Sequence, residues 1–91
     1  MSSGPAYTVN YTRKAFRDLK KLPIETVVDI VTDISELKSD PRPPASRQLS
    51  GHADLHRLRS GDYRTIYRID DQNRLIEIAR VRHRREVYDD L

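Results

Sequence analysis

The sequence predicts an α+β domain in which an N-terminal strand and a helical hairpin pack on a mainly antiparallel sheet, in the order β-α-α-β-β-β. Three observations predict it. Apolar residues between 15 and 37 recur at helical spacing, residues 54–82 form strand-like runs broken by short turns, and a proline-rich stretch separates the two. At 91 residues the chain has room for one domain and not two. We place that domain at residues 7–91, behind a flexible lead of residues 1–6.

Tyr7 to Tyr11 alternates as a short strand does. Thr12 can cap a helix whose apolar stripe is Ala15, Phe16, Leu19 and Leu22. Pro23 ends that helix and suits the start of the next. The second helix carries Ile24, Val27, Val28, Val31, Ile34 and Leu37 as one face, with its acids mostly off that face. Ser39 to Ser50, with Pro41, Pro43 and Pro44, reads as a loop. Strands are expected at Asp54–Arg59, Tyr63–Asp70 and Leu75–Arg82, with turns around Gly61 and at Asp70–Asn73. Arg84 to Leu91 is a short tail with room for one helical turn.

The chain has no cysteine, which excludes a disulfide framework and a thiolate metal site. Its first residues lack the basic-then-apolar pattern of a secretory signal, and no apolar run approaches a membrane span, so a cytoplasmic location is the default expectation. The net charge of +3 is unevenly spread. Ile24 to Asp40 holds five acids against Lys38 alone, whereas His56 to Arg85 holds nine arginines, four acids and no lysine. Arginine presents a planar fork that matches phosphate and stacks on bases, so this half has the footprint of a polyanion partner.

The turn at Gly61 allows a geometric expectation. If two residues join the strands, opposed positions share a face. His56, Leu58, Tyr63, Thr65, Tyr67 and Ile69 then face the helices, and Leu55, Arg57, Arg59, Arg64, Ile66 and Arg68 face away. Four arginines on one sheet face repel one another unless an anion meets them. Tyr63 and Tyr67 read as core. Histidines at 52, 56 and 83 match no standard zinc spacing, and their arginine neighbours oppose a cation, so no metal and no cofactor are expected. Gly51 and Gly61 are turn glycines and not a phosphate loop, because no helix follows either.

The run from Leu55 to Ile69, containing Arg59-Ser60-Gly61-Asp62-Tyr63-Arg64-Thr65-Ile66-Tyr67, and the later Val81-Arg82-His83-Arg84-Arg85-Glu86-Val87-Tyr88 resemble the RelE branch of the RelE/ParE toxin superfamily. Lys20-Lys21-Leu22-Pro23 and Leu49-Ser50-Gly51 are similar to the same pattern, so the resemblance covers residues 7–90. It implies the toxin of a type II toxin–antitoxin pair. Such a toxin would cleave messenger RNA in the ribosomal A site by attack of a ribose 2′-hydroxyl on the adjacent phosphate, and would be held in a hetero-oligomer by a RelB-like antitoxin.

The resemblance also implies roles. Arg64 matches a clamp on the transition state, Arg84 a second phosphate contact, and Tyr88 the tyrosine that orients the 2′-hydroxyl or acts as base. A tyrosine with its ordinary pKa of about 10 is too high for that last task, and surrounding arginines would lower it. Arg57 matches one of two lysines in the pattern, while Leu55 occupies the other. That departure leaves His83 as a candidate acid or base. Arg82 stands where the pattern commonly has glycine, and Arg59, Arg68, Arg82 and Arg85 are expected to contact RNA. Two other readings stay open: a ParE-like inhibitor of DNA gyrase that cleaves nothing, and an inactive homologue that only binds antitoxin or RNA.

Overall fold

The computed structural model describes residues 6–86, apart from the side chains of residues 52 and 53. Strand β1 (Thr8–Tyr11) leads into helix α1 (Arg13–Lys20), where the Thr12 hydroxyl accepts from the Ala15 amide at 3.1 Å and caps the first turn. Helix α2 (Ile24–Ser35) follows Pro23 and ends in a single 3₁₀ turn, Glu36–Lys38. Four strands complete the chain: β2 (Ser46–Leu49), β3 (His52–Ser60), β4 (Tyr63–Asp70) and β5 (Leu75–His83). They form one sheet in the order β1-β5-β4-β3-β2, antiparallel except where β1 runs parallel to β5.

The expected class therefore holds, with one strand more than the sequence reading allowed. Ser46–Leu49 is an edge strand and not loop. Its prolines lie just before it. Pro43 O accepts from the Ser46 amide at 2.9 Å and from its hydroxyl at 2.7 Å, and that turn delivers the chain onto β3.

The helices cover one face of the sheet. Ala15, Leu19, Ile30, Ile34 and Leu37 pack on Leu58, Tyr67, Ile76, Ile78 and Val81. Tyr67 is wholly buried and donates its hydroxyl to Pro41 O at 2.8 Å, tying the proline segment to the core. Tyr63 packs against the same cluster, so both tyrosines are core residues as expected. A smaller cluster of Leu49, Leu55 and Ile66, flanked by Ala79, sits on the far face.

The second helix corrects its sequence reading. Its buried stripe is Ile30, Ile34 and, beyond the helix, Leu37, with Val27 partly covered. Ile24, Val28 and Val31 face outward; Ile24 is 71% and Val28 54% exposed. Phe16 on α1 is likewise 57% exposed. Phe16, Ile24 and Val31 border an apolar groove of about 460 Å³ between the two helices, with Tyr11, Leu22 and Lys20 at its margins.

A β-bulge in β5 decides what the sheet presents. Ile66 pairs with Arg80 but Tyr67 pairs with Ile78, so β5 has one residue too many at Ala79. Ile76, Ile78 and Val81 thereby all reach the core, and the register sets Arg80 and Arg82 opposite Ile66 and Arg64, at the edge where Arg80 turns back to Asp18 of α1. Beyond the short β1, the open edge of β5 is satisfied by α1: the Thr12 amide donates to Ile78 O at 3.0 Å, the Thr12 hydroxyl donates to Ala79 O at 2.9 Å, and Asp18 accepts from the Val81 amide at 2.9 Å.

Candidate nucleic-acid interface

The β3–β4 hairpin turns through Gly61 and Asp62, with Ser60 opposite Tyr63, so the two-residue loop holds. Gly61 has φ +58°, the left-handed conformation that this turn needs and that glycine adopts without strain. The register places Arg59 opposite Arg64 and Arg57 opposite Ile66. On the other side of β4, Arg64 faces Arg82 and Ile66 faces Arg80. Arg57, Arg59, Arg64 and Arg82 thus share the face away from the helices, beside the Leu55–Ile66 floor. Long arginine stems suit such a floor, since they cover apolar surface while the charged head stays in water.

Arg64 is held close to the turn: one guanidinium nitrogen donates to Gly61 O at 2.9 Å and to Tyr63 O at 3.0 Å. Those two bonds hold the guanidinium beside the hairpin turn, on the strand edge shared with Arg59 and Arg82. Arg82 has only 18% of its side chain exposed and lies 3.7 Å from the Glu86 carboxylate. Arg84 closes the tip of the hairpin. Its amide donates to Asp62 O at 2.7 Å, and its guanidinium lies 3.8 Å from the Asp62 carboxylate. Arg85 is exposed just beyond β5, with its amide donating to His83 Nδ1 at 3.2 Å.

Two expected members stand apart. Arg68 lies towards the other end of the sheet and pairs with both Asp54 and Glu77 at 3.1 Å. Two carboxylates on one guanidinium make it a poor phosphate ligand. His83 pairs with Tyr63 across β4 and β5 and meets that core tyrosine edge-on at 5.4 Å. Its register puts it opposite Tyr63, where it lines a cleft with Asp18, Arg80 and Arg82 and stands apart from Arg57, Arg59 and Arg64. His56 is on the helix-facing side, against Tyr67 at 5.6 Å; burial, then the charge of Arg42, pushes its pKa below the usual histidine range. Tyr88 and the end of the tail lie outside the described residues.

Three residues were not singled out from the sequence. Asp18, with 12% of its side chain exposed, receives Arg80 Nε at 2.9 Å as well as the Val81 amide. Burial raises its pKa, but the Arg80 and Val81 hydrogen bonds and the charges of Arg80 and Arg82 outweigh that and hold it below the ordinary carboxylate value. This link fixes the stretch of β5 that carries Arg80 and Arg82. Arg47 is the third. It lies opposite Arg57 on the edge strand, a position legible only once the Leu49-Ser50-Gly51 turn is read as a hairpin.

A family model described as the ParE toxin of the type II toxin–antitoxin system parDE matches residues 9–88. Toxin RelG of Mycobacterium tuberculosis (strain ATCC 25618 / H37Rv) is 38% identical over 86 residues, spanning 90% of this chain and 95% of that protein. Toxin RelE of the same organism is 35% identical over 92 residues, spanning 97% and 92%. Among solved structures, the toxin–antitoxin complex RelBE2 from M. tuberculosis matches with a TM-score of 0.76 at 36% identity, over 86% of this chain and 98% of that one. The archaeal RelE–RelB complex from Pyrococcus horikoshii OT3 matches with a TM-score of 0.77 at 27% identity, over 87% and 96%.

Proposed function

The chain belongs to the ParE toxin family of type II toxin–antitoxin systems, within the RelE/ParE superfamily, and from that premise we propose that it is a messenger-RNA endoribonuclease acting in the ribosomal A site. The observation that carries the reading is the meeting of Arg57, Arg59, Arg64 and Arg82 on one sheet face. In the reaction a ribose 2′-oxygen forms a bond to the adjacent phosphorus and the bond from phosphorus to the 5′-oxygen breaks. A base takes the 2′-hydroxyl proton, and the leaving oxygen gains one. Charge builds on the phosphorane in between, and preorganised cations are what stabilise it.

Arg64, pinned at the turn, and Arg82, its neighbour on β5, grip the reacting phosphate. Arg57 reaches the same strand from β3, and Arg84 and Arg85 add positive charge at the hairpin tip. Tyr88 enters as the residue that orients or deprotonates the 2′-hydroxyl, on the strength of the resemblance. Nucleophile and phosphate both belong to the RNA, so the chemistry asks for no metal. Primer extension on a translated message tests the reading: cuts phased to codons within the reading frame support it.

The partner is a RelB-like antitoxin in a hetero-oligomer. The groove between α1 and α2 offers such a protein an apolar anchor, because Phe16, Ile24 and Val31 line it together and are exposed. A further antitoxin segment would mask the arginine face. A second reading draws on the family model, whose description is that of ParE: a toxin of this fold that inhibits DNA gyrase and cuts nothing. A DNA-damage response without RNA cuts would decide for it.

A further inference from the structure

We infer that the edge strand β2 builds a second phosphate subsite, in which Arg47, with Arg57 and Arg59, holds the RNA phosphate next to the reacting one. The inference rests on the reading that this face binds RNA, and adds to it a residue outside every motif that suggested that reading. Arg47 lies opposite Arg57, so the two side chains rise from the same face about 5 Å apart at Cβ. Between them and the segment before β2 is a cleft of about 200 Å³, lined by Pro44, Ala45, Arg47, Arg57, Arg59 and Arg64. Four arginines line it, and among the described residues no acid does. Like charges placed side by side destabilise a sheet, and an anion between them removes that cost.

The cleft is also held in shape. Ser46 is fixed by Pro43 O on one side, and the Arg59 amide donates to Ala45 O at 3.2 Å on the other, so the backbone around Arg47 is tied to β3. Its position separates it from the reacting phosphate. Arg82 stands on β5 and Arg47 on the opposite edge of the sheet, with Arg64 between them on β4, where it reaches both positions. With strands about 4.8 Å apart, β5 and β2 are separated by three steps, on the order of 14 Å. Neighbouring phosphates of a strand laid across the sheet fit the two positions without forcing both arginines to full stretch. The RNA therefore runs crosswise to the β-strands, from β5 towards β2.

The test uses the full chain, a cleavage-resistant single-stranded RNA with 2′-O-methyl riboses, and cleavage on programmed ribosomes. Removing one phosphate contact from a single-stranded complex lowers the slope of log affinity against log salt by about 0.7. Arg47→Ala is expected to do so and to raise KM about tenfold while kcat stays within a factor of about two, the pattern of a contact made equally in ground and transition states. Arg47→Lys should recover most of the affinity, since it keeps the charge. A wild-type protein that binds and cuts, beside a folded Arg47→Ala protein with the same slope and KM, overturns the subsite and leaves the endonuclease reading standing. A wild-type protein with a flat salt slope and no cuts overturns both.

Discussion

The groove between α1 and α2 is walled by Phe16, Ile24 and Val31 with Lys20 at its margin, whereas the far side of the sheet sets Arg57, Arg59, Arg64 and Arg82 beside a floor of Leu55 and Ile66. The first surface gains by leaving water, so its partner is a protein with an apolar face and its affinity should respond weakly to salt. The second would gain by neutralising charge on the proposed RNA, so its affinity should fall steeply with salt. One sheet keeps the two apart: alternating residues of β4 feed the core on one side and the arginine face on the other. Inhibition and activity can therefore be damaged separately.

The largest expected effect is on the arginine face. Arg64→Ala should lower the cleavage rate by about 10²–10³ while the protein stays folded, because one preorganised cation is lost from the phosphorane. Single-turnover cleavage alongside thermal melting measures both, and a near-wild-type rate in the folded variant would remove Arg64 from the site. Antitoxin affinity should change far less in that variant. The converse substitution, Phe16→Glu in the groove, should weaken the antitoxin complex by about 30-fold or more, the loss of an apolar anchor, with cleavage unaffected. Calorimetric titration with the antitoxin decides it, and an unchanged Kd would mean that the groove is not the anchor.

A smaller effect concerns the link between the two sides. Asp18→Asn leaves Arg80 without its carboxylate and should cost about 2 kcal/mol of stability at neutral pH. Since folding lowers the Asp18 pKa, its contribution is complete above the ordinary carboxylate value of 3.8 and disappears as pH falls through the lower folded value. Urea unfolding of wild type and variant should therefore differ at pH 7 and converge as the pH falls below that folded value; a constant gap would deny the ion pair its role. Smallest of all, Thr65→Val should add about 1 kcal/mol, since it removes a hydroxyl that is fully buried and has no hydrogen-bond partner among the described residues.

The arginine face was legible in the sequence because a two-residue turn at Gly61 fixes the parity of both strands, and parity fixes the face. The groove was not. On α2 the apolar residues Ile24, Val27, Val28, Val31 and Ile34 satisfy helical spacing whichever way the helix is rolled, and Ile30, buried to 1%, was not in the expected stripe. Packing against Leu58 and Tyr67 chooses the Ile30–Ile34 side and leaves Ile24 and Val28 out. Strand β2 escaped because four residues after three prolines carry too little alternation to announce an edge strand. The bulge at Ala79 escaped for a different reason: an extra residue inverts the parity of everything after it, and only pairing reveals it. The same arithmetic sets His83 apart from Arg57, Arg59 and Arg64, since its partner is the core-facing Tyr63.

The central claim, that the arginine face cuts RNA held on the ribosome, is tested most directly by primer extension on one translated message with wild-type protein and with Arg64→Ala. For the wild type, strong cuts phased to codons are expected, absent from a matched untranslated message and nearly lost in the variant. Equal cuts by the folded variant, or growth arrest by the wild type without any RNA cut, would contradict it.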